Sequence, residues 1–156
     1  MLELVLSKGD IMTNYTRRFP RDPYEGLLVR CLVACGYKVA LSSDLEDEIF
    51  GEDARDTERD IPWDFYIGNG NNGRYAEKLA KAEANRVAVL RVPATLVDDL
   101  CLPSQQGRAL PQLAEIYDKA LREARGNRLR TRNELEAEKI RWWEYRPQPR
   151  RVLQPA

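Results

Sequence analysis

Apolar positions change their period along this chain, and the changes mark its elements. Tyr24, Leu27, Leu28, Cys31, Leu32 and Cys35 recur at helical spacing, and Val29 and Val33 widen the stripe. Asp22 supplies a cap, Pro23 suits a first turn, Glu25 closes a capping box, and Gly36 supplies a stop. Residues 2–6 and 37–41 read as short strands, and residues 61–67 as a third, with Pro62 at the start where proline is tolerated. A helix is predicted over 73–85. Residues 87–92, apolar except for Arg91, fit a strand buried on both faces of a parallel sheet. Thr95 to Asp98 resembles a capping box that opens a short helix.

Further on, Leu113, Ile116, Tyr117, Ala120 and Leu121 line one face of a helix over 111–125, with Gly126 as its stop. Thr131 and Glu134 form a capping box for a helix over 132–144. Strands alternate with helices through residue 92. The expectation is an α/β domain over 1–126 with a Rossmann-like, mainly parallel sheet and flanking helices. The last of two C-terminal helices, with an extended basic tail, falls in 127–156.

Charge modifies this picture locally. The chain has 156 residues and a formal net charge of zero. Yet residues 44–60 hold nine acids (Asp44, Glu46, Asp47, Glu48, Glu52, Asp53, Asp56, Glu58 and Asp60) against Arg55 and Arg59. This stretch predicts an exposed helix or a mobile loop beside the site, without the spacing of a calcium loop. Neutral overall charge disfavours general nucleic-acid binding. No apolar run is long enough for a membrane span and no signal peptide is evident, so no membrane partner and a cytoplasmic location are expected.

Two residue types narrow the chemistry. There is no histidine, which excludes Ser-His-Asp and Cys-His catalysis and imidazole ligation of metals. The three cysteines are an odd count, without a zinc set, and are expected in the core. Carboxylates, Tyr, Lys, Ser and Cys remain as candidate catalytic groups.

The strongest local motif is Gly68-Asn69-Gly70-Asn71-Asn72-Gly73 between a predicted strand and a predicted helix. Glycines in such a turn let backbone approach a phosphate at a helix N-terminus. Gly68, Gly70, Asn72 and Gly73 are therefore candidate ligand-binding residues. No acid closes the next strand where a ribose would be held, and too little chain follows for a complete dehydrogenase.

Residues 22–92 also resemble the nucleoside 2-deoxyribosyltransferase-like group of small Rossmann-like proteins. The resemblance rests on Trp63-Asp64-Phe-Tyr-Ile, on Gly73-Arg-Tyr-Ala-Glu77-Lys-Leu-Ala80, and on Leu32-Val-Ala-Cys-Gly36-Tyr37-Lys-Val39. It implies cleavage or exchange of an N-glycosidic bond, with Glu77 as nucleophile or cation-stabilising carboxylate and Asp64 holding a sugar hydroxyl. The expected ligand is a nucleoside or nucleotide, with neither cofactor nor metal.

Two other readings stand beside it. Glu25 on a helix and Asp64 on a strand resemble the metal-dependent restriction-endonuclease-like core. That core needs a Glu/Asp-x-Lys pair on the strand after the Asp, which residues 87–92 lack, and Glu25 reads as a cap. The other is a non-catalytic subunit docking through Arg141, Trp142, Trp143 and Arg146, since arginine and aromatic residues concentrate at interfaces. A homo-oligomer or complex subunit fits either of the favoured readings.

Overall fold

The computed structural model describes residues 15–69 and 73–145. The expected strand over 2–6, together with Gly70, Asn72 and Arg146, lies outside the described residues. Ten elements follow in order: α1 (Pro23–Ala34), β1 (Val39–Leu41), α2 (Asp44–Phe50), β2 (Ala54–Asp56), β3 (Ile61–Ile67), α3 (Gly73–Asn85), β4 (Ala88–Val92), α4 (Ala94–Cys101), α5 (Pro103–Ala124) and α6 (Arg132–Tyr145). The fold is α/β, but the sheet is mixed where a mainly parallel one was expected. Its order is β1-β2-β3-β4. β1 pairs antiparallel with β2, and β2 antiparallel with β3; β3 and β4 alone are parallel.

Connection lengths account for the β2–β3 and β3–β4 pairings. Residues 57–60 make a hairpin-sized link, with Asp60 at a φ of 57° in the left-handed region, and so short a link returns the next strand antiparallel. The β3–β4 link contains all of α3, long enough for a parallel crossover.

The stretch 44–60 is neither an exposed helix nor a loop. It supplies α2 and β2, and Glu52 and Asp56 are fully buried. The charges are tolerated because each has a partner. Arg55 grips Glu52 at 2.6 and 3.2 Å, and Ser42 Oγ donates to the same carboxylate at 2.8 Å. Asp56 accepts from the Glu58 and Arg59 backbone N–H groups and from Tyr117 Oη at 2.7 Å. Tyr117 Oη in turn accepts from Trp63 Nε1 at 2.9 Å, so a polar chain crosses the core with its members satisfied.

The main core gathers Leu28, Leu32, Trp63, Leu90, Leu100 and Leu113, all fully buried, from α1, β3, β4, α4 and α5. Of the cysteines, Cys31 is buried, Cys35 is half-buried and Cys101 is exposed, so the last departs from the expected core placement. α5 begins at Pro103, earlier than expected, and runs through Pro111. Thr131 and Glu134 do exchange capping bonds at the start of α6.

A second, smaller core joins α2 to α6. Leu45, Phe50 and Leu135 are buried there, with Trp142 and Trp143 packed against them. Ions reinforce the join: Lys139 Nζ lies 2.9 Å from the buried Glu46 carboxylate, and the Arg132 N–H donates to Asp60.

Candidate functional site: an acidic cleft closed by lysine

Asp22, Glu25, Asp47, Glu48, Asp53 and Asp64 line a cleft of about 420 Å³. Asp53 occupies the centre. Gly51 ends α2 at a φ of 71°, where a Cβ would lie 2.5 Å from the Asn85 amide, and so reverses the chain into Glu52 and Asp53. The Asp53 N–H donates to the Trp63 carbonyl at 2.8 Å, and its carboxylate accepts from the Phe65 N–H at 2.6 Å. Both bonds fix it against β3.

Asp64 reaches the same place by strand alternation. Trp63 and Phe65 on either side of it join the main core, so Asp64 points to the opposite face. There Lys78, one turn into α3, meets it at 2.8 Å. Glu25 arrives from α1 and Asp47 from α2. Ligand oxygens of Glu25, Asp47 and Asp53 all lie within 4.8 Å of one another.

Glu25 does not close a capping box. Asp22 caps the helix by accepting from the Tyr24 N–H at 2.9 Å, while the Glu25 carboxylate turns to Arg21 Nε at 2.7 Å. Arg21 also donates to the carbonyls of Ser42 and Asp53 at 2.6 and 2.7 Å, tying α1, β1 and β2 together behind the acids.

So many carboxylates in one place affect each other's protonation. Burial pushes the Asp53 carboxyl up, the hydrogen bond to Asp47 and the charges of Asp64 and Glu25 push it further, and it reaches about 11. Burial raises Glu25 as well, against the pull of Arg21. For Asp47, burial is outweighed by hydrogen bonds from Asp53 and Arg17, which leave it below its ordinary value. Lys78 moves the opposite way to a simply buried lysine: the Asp64 charge outweighs its desolvation and holds it protonated. The centre at neutral pH is a proton held among acids beside a lysine cation.

Residues 15–21 form a strap along the cleft. Glu48 anchors it by accepting from Tyr15 Oη at 2.7 Å and from the Arg18 and Phe19 N–H groups at 3.0 Å. Arg17 reaches Asp47 at 2.8 Å and Asp44 at 3.1 Å. Lys81 completes the cationic part of the rim.

A larger cavity of about 690 Å³ lies elsewhere, between α3, β4 and the end of α5, lined by Leu79, Ala82, Val87 and Leu129 among others. It is bigger but holds no comparable gathering of acids, so the smaller cleft is the candidate site.

The residues singled out from the sequence fall in different places. Asp64 is in the acidic cleft. Glu77 is exposed on α3 and lines neither cavity, and Asp64 pairs with its neighbour Lys78 instead. Gly68 is explained by packing, because a Cβ there would lie 2.9 Å from the Tyr66 ring. Gly73 opens α3, exposed. Asn69 Oδ1 accepts from the Ala94 N–H at 3.1 Å and joins the loop to α4. Arg141 is exposed, while Trp142 and Trp143 are half-buried against α2.

Asp47, Asp53 and Lys78 had not been singled out as site residues. The available signal was Gly51, a turn residue, followed by an acid and a short segment before Asp64. No family model, curated protein or solved structure matches this chain.

Proposed function

We propose that this protein is a metal-dependent phosphodiesterase acting on nucleic acid, a nuclease of the restriction-endonuclease-like kind. The observation that carries the reading is the convergence of Glu25, Asp47 and Asp53 within 4.8 Å beside the Asp64–Lys78 pair. The resemblance fits once Asp53, not Asp64, is taken as the first acid. Asp64 is then the acid on the following strand, and its lysine comes from helix α3 instead of two residues along the strand, where Tyr66 stands.

The donor set suits a hard divalent cation such as Mg²⁺ or Mn²⁺, since it is all carboxylate oxygen and lacks imidazole and thiolate. Asp53 with Glu25, Asp47 and Asp64 would hold the ion, which in such sites lowers the pKa of bound water and neutralises phosphate charge. The chain's own groups do the rest. Lys78, held protonated against Asp64, supplies a cation for a phosphate oxygen or for orienting an attacking water. Arg18 and Lys81 offer phosphate contacts on the rim of the cleft, whose acidic charge a bound ion would partly offset.

The nucleoside reading centred on Glu77 is less well supported, given the exposure of that residue and a sheet that is mixed rather than mainly parallel. The test is cleavage of labelled single- and double-stranded DNA and RNA with Mg²⁺ or Mn²⁺, by wild type and by Asp53→Asn and Asp64→Asn. Metal-dependent cleavage that both substitutions abolish is expected. No cleavage with either metal, together with no Mn²⁺ binding by calorimetry, overturns the proposal.

A further inference from the structure

We infer that Phe19 is a stacking platform for an unpaired base, so that the substrate is single-stranded nucleic acid or a duplex with unpaired bases beside the cleft. This rests on the nuclease reading and specifies its substrate. Phe19 is 69% exposed, the most exposed large apolar side chain at this cleft. Single exposed apolar residues are common and carry nothing alone. This one differs in how it is held.

Its N–H donates to Glu48 at 3.0 Å, and its carbonyl accepts from Arg17 Nε at 2.9 Å. Pro20 follows, which restricts Phe19 to extended backbone. The ring is thus presented outward from a backbone fixed on both sides, and it gains no core in return. The backbone part of the ordering entropy is already spent before any ligand arrives, which favours binding.

The neighbours define the ligand. Arg18 and Lys81 line the same cleft, beside Arg17 and Lys78, which pair with Asp47 and Asp64, and an aromatic ring next to cations is a pattern that holds a single strand by phosphate contacts and base stacking. In an intact duplex the base faces are already stacked on one another. A ring at the rim therefore gains a partner only from a base that is unpaired.

Binding is measured by fluorescence anisotropy with a short single strand and the matching blunt duplex, with Ca²⁺ replacing Mg²⁺ to prevent cleavage. Wild type, Phe19→Ala and Phe19→Trp are compared, and a 2-aminopurine reports stacking. The expected result is a preference for the single strand that falls about tenfold in Phe19→Ala, with duplex affinity unchanged and Phe19→Trp close to wild type. The exposed position leaves folding intact, which circular dichroism checks. Equal single-strand affinity of wild type and Phe19→Ala overturns the inference, as does a wild-type preference for blunt duplex. Wild type that cleaves but ignores Phe19→Ala sinks the inference alone. Wild type that binds single strands through Phe19 but neither cleaves them with any metal nor binds Mn²⁺ sinks the nuclease reading alone.

Discussion

Lys78 and Asp64 stand 2.8 Å apart, one from a helix and one from the strand beneath it. The pair puts a cation against the acid cluster without a lysine on the strand itself. Replacing Lys78 by Ala should lower single-turnover cleavage by about 100-fold or more, the usual effect of removing one charge-stabilising donor. Mn²⁺ affinity should persist, because the carboxylates remain. Lys78→Arg should retain part of the activity. Equal rates for Lys78→Ala and wild type would remove Lys78 from the chemistry.

Asp53 makes a prediction about pH. Its carboxyl is raised by burial and acidic neighbours to about 11, so the folded state keeps a proton that the unfolded chain releases above about pH 4. The folded state therefore binds more protons, and this residue's contribution to stability declines as pH rises between those values. Asp53→Asn removes that dependence while preserving shape. Urea midpoints should show the variant's advantage over wild type growing from pH 5 to pH 9. Added Mn²⁺ should stabilise wild type and leave the variant unmoved.

The strap over the cleft depends on Glu48. Desolvation raises this carboxylate, but the Tyr15 hydroxyl and the Arg18 and Phe19 N–H groups outweigh that and hold it below its ordinary value. A lowered carboxylate keeps its contribution above the unfolded pKa and loses it as pH falls through the folded one. The strap should stay docked at neutral pH and release only in acid. Glu48→Ala should speed tryptic cleavage after Arg17 or Arg18 about tenfold at neutral pH, with the melting temperature of the domain unchanged. Unchanged proteolysis would mean that other contacts hold the segment.

The polar chain through the core gives a stability test. Tyr117→Phe keeps the ring but leaves Trp63 Nε1 without its acceptor and the buried Asp56 without one donor. The expected cost is about 1–3 kcal/mol by urea denaturation. Trp63 fluorescence should shift on the same substitution, since its indole hydrogen bond is removed.

The sequence revealed the helices better than the sheet. Helix α1 was legible because six apolar residues keep its period between Asp22 and Gly36. Helix α6 was legible from the Thr131–Glu134 box. Strand β2 was not, because Ala54-Arg55-Asp56 sits in an acidic run and its burial depends on ion pairs with near residues and hydrogen bonds with distant ones. Missing β2 made the sheet read as parallel. The site was partly visible. Asp64 was singled out, but its partner is Lys78 and not Glu77, a difference of about 100° around the helix that spacing alone does not resolve. A first-turn acid suits both a capping box and an ion pair, and for Glu25 only its bond to Arg21 distinguishes them.

Helix α2 is seven residues long, too short to persist unaided, and it carries Asp47 into the cleft. Its other side is held by Leu135, Lys139 and the two tryptophans of α6. The last helix thus acts as a remote support for the acidic cleft. Gentle heating that loosens α6 should silence the protein while the central sheet is still folded, and activity should fade at a lower temperature than ellipticity.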